Sequence, residues 1–456
     1  MAELLPNPRL CGECSKPGCE LRCACNLIFY CGKECQRAHW PTHKIKCSVS
    51  LARNIKDARK EHGRDCGPEA QARIDAGLAL WQQGRFDQAE KCYLEALRII
   101  EELKERCEDS DKQWASGSAK ARAQIASGEA TARVKSMLGG LYWSMGRYGE
   151  AIDMHKANIK IYRTLHGQRS QEVGMCFLHI GQCLHEMQDN TKAVKKLDRA
   201  ISILTEACGP ESDLVGVVYG VKAGCFVLSG KTIEALALYE ESLRISKKTR
   251  GNDYLELASA DDAGRLGNMG IIYSELGRLE EAQDAFKQTL AILRRVHGEK
   301  HPDVATAFLN IGVVLEKQGE HEEAHKMYSK ALKVKRRIYG DEHADVAWVY
   351  LCLGSSNLKQ GRFDDAAKVI RKGIASYQSQ LGPDNARNAR MYYNLALAQQ
   401  GSGEISEALE SVEVSLRIYN KHGAAGALWT EMGDYNGPML ANDLHRTLKL
   451  KAAKRV

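Results

Sequence analysis

A six-residue frame, Gly-x-x-x-x-Ala, recurs along most of this chain and constrains its fold more than any other feature. An additional copy, which begins at Gln188, lacks the glycine. The other copies begin at Gly84, Gly146, Gly230, Gly277, Gly319, Gly361 and Gly403. Five of the seven steps between neighbouring copies are 42 residues long. A constant period of this length indicates supersecondary units that stack side by side along the chain.

The apolar spacing within each unit predicts a helical hairpin. Apolar residues recur at helical spacing on both sides of Gly319, over 304–315 and again over 324–334. The glycine itself lies where a tight helix–helix turn needs a permissive backbone. Small Gly312 and Ala324 predict a close approach of the two helices. Because one hairpin cannot bury its own apolar face, we expect neighbouring hairpins to build the core together.

These residues resemble a known repeat. The matching positions are Asn310, Gly312, Leu315, Gly319, Ala324, Tyr328 and Ala331, which are similar to the tetratricopeptide (TPR) pattern. The usual TPR unit has about 34 residues, and two extra helical turns use about seven more. Similar long units occur in kinesin light chains, whose inter-repeat loops resemble His297–Val304. The resemblance covers roughly residues 69–420 and implies an all-α solenoid of about eight repeats.

Three stretches depart from the period. The step of 62 residues is longer than the period, and its extra residues fall near 105–131. We interpret them as a mobile loop or an extended, frayed helix pair. The step of 47 residues places a smaller surplus near 251–264. Glycines interrupt the pattern after about residue 421, and residues 441–451 then form an amphipathic segment through Leu444, Leu448 and Leu450. Residues 421–456 are therefore predicted to hold a capping helix and a short basic tail.

Eight of the sixteen cysteines fall within the first 47 residues, after a start (residues 1–10) that is predicted to be disordered. The spacing runs Cys11-x2-Cys14, Cys19, Cys23-x-Cys25, Cys31-x3-Cys35, His39, His43-x3-Cys47. Short cysteine spacings closed by a histidine and a cysteine suit tetrahedral zinc. A segment this short cannot build a sufficient apolar core, so zinc must supply about 10 kcal/mol or more of folding free energy.

The order of these residues resembles the MYND zinc finger. That resemblance implies two interleaved zinc ions, one held by Cys11, Cys14, Cys31 and Cys35, the other by Cys23, Cys25, His43 and Cys47. The second pair departs from the usual family spacing, which leaves Cys19 as an alternative to Cys23. His39 is expected to pack rather than to bind metal. A RING-type finger and a disulfide knot are weaker alternatives, because the Cys-x-His pair and a secretory signal are both missing.

Composition sets limits on location and partners. The net charge of +7 is mild for 456 residues, and basic and acidic side chains alternate. No apolar run approaches the roughly 18 residues needed to span a bilayer, and the N-terminus does not resemble a signal peptide. We expect a cytoplasmic or nuclear protein without membrane contact. Residues 48–68 are predicted to form a basic linker or helix with a solvated face.

Two patterns inside the repeats bear on function. The slot nine residues before each turn residue carries Asn268, Asn310 and Asn394, with His179 and Cys352 in other copies. In the TPR family this position faces the concave groove, where amides pair with a peptide backbone; the alternative is that these amides bond within the hairpins. A second pattern, His321-Glu-x-x-His325, matches a zinc-protease signature. We interpret it as structural, because His321 occupies a packing slot and no third ligand is evident.

The sequence therefore predicts a non-enzymatic adaptor or scaffold. Its finger would bind proline-containing peptide segments, and its TPR groove would bind extended or helical segments of other proteins. The alternative is a regulatory protein that binds nucleic acid through the basic linker and tail. A lysine methyltransferase of the SMYD kind is a remote alternative, because helical repeats follow the finger directly and the Asn-His-x-Cys cofactor segment is missing.

Overall fold

A computed structural model describes residues 21–22, 29–30, 48–62, 66–108, 128–422 and 436–453. Two short strands, β1 (Leu21–Arg22) and β2 (Phe29–Tyr30), pair antiparallel, with Leu21 opposite Tyr30. The helices of the first half are α1 (Ser48–His62), α2 (Gly67–Gln82), α3 (Phe86–Glu108), α4 (Glu129–Ser144), α5 (Tyr148–His166), α6 (Gln171–Glu186), α7 (Asn190–Cys208), α8 (Asp213–Leu228) and α9 (Thr232–Arg250). A 3-10 turn (Gly251–Asp253) follows.

The helices of the second half are α10 (Tyr254–Leu257), α11 (Ala260–Glu275), α12 (Leu279–His297), α13 (Pro302–Lys317), α14 (His321–Tyr339), α15 (Ala344–Lys359), α16 (Phe363–Leu381), α17 (Arg387–Ser402), α18 (Ile405–His422) and α19 (Gly437–Ala453). The chain divides into two compact units, Met1–Ile245 and Ser246–Val456, called unit 1 and unit 2 below. None of the helices in the described ranges is long and apolar enough to cross a bilayer. The prediction of an all-α helical-repeat solenoid is confirmed.

Each hairpin pairs a first helix of 16 residues with a longer second helix, as α13 pairs with α14. The turn residue has a left-handed backbone, for example Gly319 at φ 85°. In the copy without glycine, Gln188 adopts φ 61° and is the one described non-glycine residue with positive φ. The first residue of the Gly-x-x-x-x-Ala frame therefore forms the turn whether or not it is glycine. Gln188 adopts this left-handed conformation despite the steric cost of its Cβ.

The two helices of a hairpin meet where a small residue faces a large one 16 positions later. A Cβ built on Gly312 would lie 2.5 Å from the ring of Tyr328, and one on Gly270 would lie 2.7 Å from Phe286. Because real Cβ atoms do not approach so closely, these glycines are what allows the helices to pack with the ring between them. The predicted close approach at Gly312 is confirmed.

The N-terminal helix α1 is docked on the first hairpin rather than solvated on all sides. Arg59 Nε donates to Glu69 Oε1 (2.8 Å), and Arg73 Nε donates to the same oxygen (2.9 Å). The Glu69 side chain is fully buried, and Ile55 packs against the core of unit 1. A buried carboxylate needs such paired cations, so this cluster ties the segment that follows the finger to the repeats.

The extra residues of the 47-residue step, near 251–264, pack around a cluster of buried charged side chains. Ser259 and Asp262 form a reciprocal capping box at the start of α11, and Tyr254 in α10 is buried. Arg250 and Arg265 both pair with the fully buried Asp262. Burial alone would raise the pKa of Asp262, but the hydrogen bonds from Ser259 and the two arginines lower it to about 2. The longer surplus of the 62-residue step falls largely in residues 109–127, outside the described ranges.

The C-terminal helix α19 packs against α18. Leu444 and Leu448 are buried in a cluster with Val412 and Tyr419. The expectation for Leu450 was wrong, because its side chain is 62% exposed. Leu450 lies two residues after Leu448, which turns it to the opposite side of the helix.

Candidate functional site

The predicted metal ligands cannot be placed by this structure. Cys11, Cys14, Cys19, Cys23, Cys25, Cys31, Cys35, His43 and Cys47 all lie outside the described residues. The two described strands of this region, β1 and β2, pair antiparallel with each other. Seven thiolates and one imidazole form a soft donor set that suits zinc and excludes the hard, oxygen-binding cations. The donor chemistry therefore fits the metal that the spacing predicts.

In unit 2 the predicted amide slot has a different environment in each copy. Asn268 is exposed, and Asn310 is half-buried. Asn394 is buried, and its Nδ2 donates to Ser355 Oγ of the preceding hairpin (3.2 Å). Asn268 and Asn310 can therefore be reached from solvent, whereas Asn394 already joins two neighbouring first helices. The role of all three in peptide contact stays a prediction.

An apolar row runs beside this slot on the first helices of unit 2. Six residues before the turn, the first two hairpins of unit 2 carry Ile271, which is 44% exposed, and Val313, which is 36% exposed. Trp348, near the start of α15, is 43% exposed. Ile271 and Val313 share one position in two successive repeats, and exposed large apolar side chains of this kind are typical of a binding surface.

Lysines bridge neighbouring first helices at the turn end of the same face. Lys317 Nζ donates to the carbonyl of Ser274 (2.9 Å) and to its hydroxyl (2.8 Å). One repeat further on, Lys359 Nζ lies 3.1 Å from Glu316 Oε1, while Tyr328 donates to Glu316 Oε2 (2.8 Å). These contacts hold the amide and apolar positions of adjacent repeats in register.

The corresponding slot in unit 1 lacks asparagine and carries Asp75, Met137, His179 and Val221. Aromatic side chains cover part of the face instead. The ring of Trp81 lies 2.7 Å from where a Cβ of Gly140 would be, and its Nε1 donates to Ser144 Oγ (3.1 Å). Trp143, in the next hairpin, is 45% exposed. Unit 1 therefore has tryptophan side chains near this slot and no asparagine in the slot itself.

Behind His179, one of the unit 1 slot residues, lies the buried His155. The rings of His155 and His179 have centroids 4.8 Å apart, and His155 packs on Gly139 where other hairpins place an aromatic or aliphatic side chain. Burial lowers the pKa of His155 to about 3, with a further contribution from His179. Burial also lowers the pKa of His179. Both rings are therefore neutral at pH 7. The sequence analysis did not identify His155 as a packing residue. The signal that could have identified it is its position, 16 residues after the small Gly139 of the first helix.

The described cysteines of the repeats are free thiols, and four of them belong to the core. Cys66, Cys92 and Cys208 are free and half-buried, whereas Cys176, Cys183, Cys225 and Cys352 are free and buried. Burial raises the pKa of the Cys352 thiol to about 12. These thiols are therefore protonated apolar groups of the core at neutral pH.

The protease-like motif is part of the repeat packing. His321 is the first residue of α14, and its carbonyl accepts hydrogen bonds from Gln360 Nε2 (3.0 Å) and Ser356 Oγ (3.3 Å). His325 is half-buried, and burial lowers its pKa. In the ranges that the structure describes, no third metal-ligating side chain joins these two histidines.

Paired helices, left-handed turn residues and glycine-to-ring contacts define the class of helical-repeat proteins. Within that class, a tetratricopeptide repeat family model matches residues 128–206, 174–248, 262–337, 304–379 and 345–421, which is more than half of the chain. A second TPR model matches residues 70–102, and a MYND finger model matches residues 11–47. The chain belongs to the tetratricopeptide repeat family and carries an N-terminal MYND finger, a zinc-binding domain.

Two relatives illustrate the two parts of the chain. Protein KINESIN LIGHT CHAIN-RELATED 2 of Arabidopsis thaliana is 23% identical over 233 residues, which is 51% of this chain and 31% of the relative. N-lysine methyltransferase SMYD2-A of Danio rerio is 29% identical over 89 residues, 20% of this chain and 18% of the enzyme. The chain spans less than a third of the length of either, and the methyltransferase match covers the finger region.

Among solved structures, a signal transduction ATPase with a tetratricopeptide repeat sensor from Pyrococcus horikoshii has a TM-score of 0.55 at 14% identity. The similarity covers 86% of this chain and 57% of the ATPase chain. At this identity the similarity concerns the fold alone. Together with the kinesin light chain-related relatives, the repeats support a protein-interaction adaptor role.

Proposed function

We propose that this protein is a non-enzymatic adaptor that binds one protein partner through its MYND finger and another through the first-helix face of unit 2. The single observation that carries this proposal is the pairing of reachable amides with exposed apolar side chains on successive first helices. An extended peptide has unpaired backbone groups at every residue and alternating side chains. Asn268 and Asn310 would hydrogen-bond to the backbone of the peptide, and Ile271 and Val313 would contact its side chains.

For the finger, the proposal keeps the two interleaved zinc ions. Cys11, Cys14, Cys31 and Cys35 would hold one, and Cys23, Cys25, His43 and Cys47 would hold the other. The folded finger would bind proline-containing peptide segments, as its family resemblance implies. Joining two weak binding modules in one chain raises the effective concentration of one partner near the other. This is the physical basis of a scaffold.

Affinity capture from native lysate tests the two-surface proposal. The full chain is compared with a chain that lacks residues 1–47, which leaves α1 in place because its Arg59 pairs with the buried Glu69. Loss of some partners with retention of others supports two independent surfaces. Recovery of the same set would reject a binding role for the finger. Loss of all partners after nuclease treatment would reject both peptide surfaces in favour of nucleic acid.

The unit 2 face is tested with the double variant Asn268→Ala, Asn310→Ala. It should lose those partners that the chain without residues 1–47 still recovers, because the backbone of a bound peptide would lose two pairs of hydrogen bonds. Each lost bond is worth about 1 kcal/mol, so the loss of four bonds should lower the affinity roughly 100- to 1000-fold. Glu280→Ala, an exposed change on a second helix, is the matched control. Unchanged recovery by the double variant contradicts the assignment of these amides.

The zinc proposal is tested with Cys31→Ser. Loss of one thiolate should release zinc and unfold the finger, while far-ultraviolet circular dichroism stays nearly unchanged because the described helices lie outside residues 11–47. Zinc content by metal analysis should fall from two ions per chain. A large loss of helicity would instead mean that the finger is integral to the solenoid.

A further inference from the structure

The loop between α12 and α13, in unit 2, brings three metal-ligating side chains together. His297 is the last residue of α12, and Gly298 then turns the chain with φ 80°. His301 is the N-cap of α13, and its Nδ1 accepts from the backbone N–H of Asp303 (3.2 Å). The rings of His297 and His301 stack with centroids 4.2 Å apart.

The ligand atoms of these side chains already cluster. One atom from each of His297, His301 and Asp303 lies within 4.8 Å of the others, and no other such group of three occurs in the ranges that the structure describes. His301 Nδ1 and Asp303 Oδ2 are 3.4 Å apart. His297 and Asp303 are exposed, and His301 is half-buried. The cluster is therefore open to an ion from solvent.

The distances suit a small divalent ion. Zinc binds nitrogen and oxygen at about 2.0–2.2 Å, so two ligands of a tetrahedral ion stand roughly 3.3–3.6 Å apart. The pair formed by His301 Nδ1 and Asp303 Oδ2 already has this spacing. His297 needs to turn its exposed ring out of the stack to bring a nitrogen into range. Two imidazoles and one carboxylate favour zinc, nickel or copper over magnesium and calcium.

We propose that the loop 297–303 is a second kind of metal site in this protein, separate from the finger. The site binds one zinc-type divalent ion through His297, His301 and Asp303, with a water molecule in the fourth position. The ion takes the lone pair of His301 Nδ1 and so replaces the helix-capping hydrogen bond to Asp303. Because His297 ends one hairpin and His301 begins the next, the bound ion links neighbouring repeats of unit 2.

The next loop along the chain is a natural control. His343 caps α15 in the same way, with Asp345 N–H donating to its Nδ1 (3.1 Å), and its ring stacks on Tyr339 with centroids 4.5 Å apart. A phenol replaces the first imidazole, so this loop has the same cap and stack with one metal ligand fewer. The difference between the loops isolates His297 as the residue that completes the site.

Isothermal titration of ZnCl2 into the full chain tests the proposal. The chain is purified with zinc and freed of excess ion, so that the finger is already saturated. One additional site is expected, and His297→Tyr should weaken it about tenfold or more, because even residues that only support a ligand contribute about that much. His301→Asn should do the same while keeping a good helix cap. His343→Asn should leave the additional site unchanged.

A gain-of-site variant sharpens the test. Tyr339→His rebuilds the three-ligand set in the control loop and should add a further zinc site. Absence of any additional site in the unaltered chain would overturn the proposal, as would equal zinc affinity in the His297→Tyr variant. An additional site that survives His297→Tyr but disappears in His325→Ala would place metal binding at α14 and likewise reject it.

Discussion

The first-helix slot that lies nine residues before the turn differs between the two units. In unit 2 it carries Asn268, Asn310 and Asn394, and the neighbouring positions expose apolar side chains. In unit 1 one copy of the same slot carries His179, whose ring lies tilted against the buried His155. One backbone design thus supports two reachable amides in one unit and two imidazoles packed against each other in the other. The repeat period governs the fold, whereas the slot residues govern the surface chemistry.

The largest effect is expected where the two units are most alike, at the packing glycines. Gly312→Val would drive a side chain into Tyr328, 2.5 Å from the built Cβ, and should cost about 3 kcal/mol of local stability in unit 2. Hydrogen exchange of α13 and α14 measures this loss. Gly216→Val is the unit 1 comparison. Its nearest neighbour would be 3.3 Å away, so a smaller loss is expected, and an equal loss would refute the packing argument.

The stability of unit 1 should depend on pH through His155. The pKa of His155 is about 3 in the folded chain and about 6.5 in the unfolded chain. Stability from the neutral ring is complete above pH 6.5 and is lost as pH falls toward 3. Between pH 7 and pH 5 unit 1 should lose about 2 kcal/mol. Hydrogen exchange of α5 and α6 at both pH values, corrected for intrinsic rates, measures it.

The control for this pH effect is His155→Leu. Leucine is the residue that the next hairpin has at the equivalent packing position, where Leu197 contacts Gly181. This variant should lose most of the pH dependence while the packing on Gly139 is retained. If the same decline between pH 7 and pH 5 persists in the variant, His155 is not its origin.

The turn residues offer a reciprocal exchange. Gln188 holds φ 61° in unit 1 against the steric preference of its Cβ, whereas Gly319 holds φ 85° in unit 2 without that cost. Gln188→Gly should stabilise its hairpin by about 1 kcal/mol, and Gly319→Gln should destabilise its own by about 1 kcal/mol. Hydrogen exchange over each hairpin gives both values. Changes of the same sign in the two variants would contradict the strain assigned to Gln188.

The smallest effect distinguishes two members of the amide slot itself. Asn394→Ala removes the buried hydrogen bond to Ser355 and should cost about 1 kcal/mol. Asn268→Ala changes an exposed side chain and should stay within about 0.5 kcal/mol. Thermal unfolding of the two variants side by side measures the difference. Equal losses would mean that Asn268 is also a structural residue.

Much of the fold followed from the sequence because repeat period, turn residue and apolar spacing act locally. The helix pairs, the left-handed turns and the capping helix α19 were all predicted from them. The docking of α1 was not, because the Arg59–Glu69 pair joins two segments whose charges look solvated in isolation. Leu450 was assigned to the apolar face from helical spacing, yet it lies outside the contact with α18.

The sequence by itself determined the family, the hairpin frame and the zinc-type donor set of residues 11–47, since each depends on residue types at short, constant spacing. Only the tertiary structure decided which slot residues remain reachable. Asn268 and Asn394 occupy equivalent positions in sequence, but the hydroxyl of Ser355 on a neighbouring helix takes the amide of Asn394. Exposure depends on side chains about 40 residues away along the chain, and a local pattern carries no information about them.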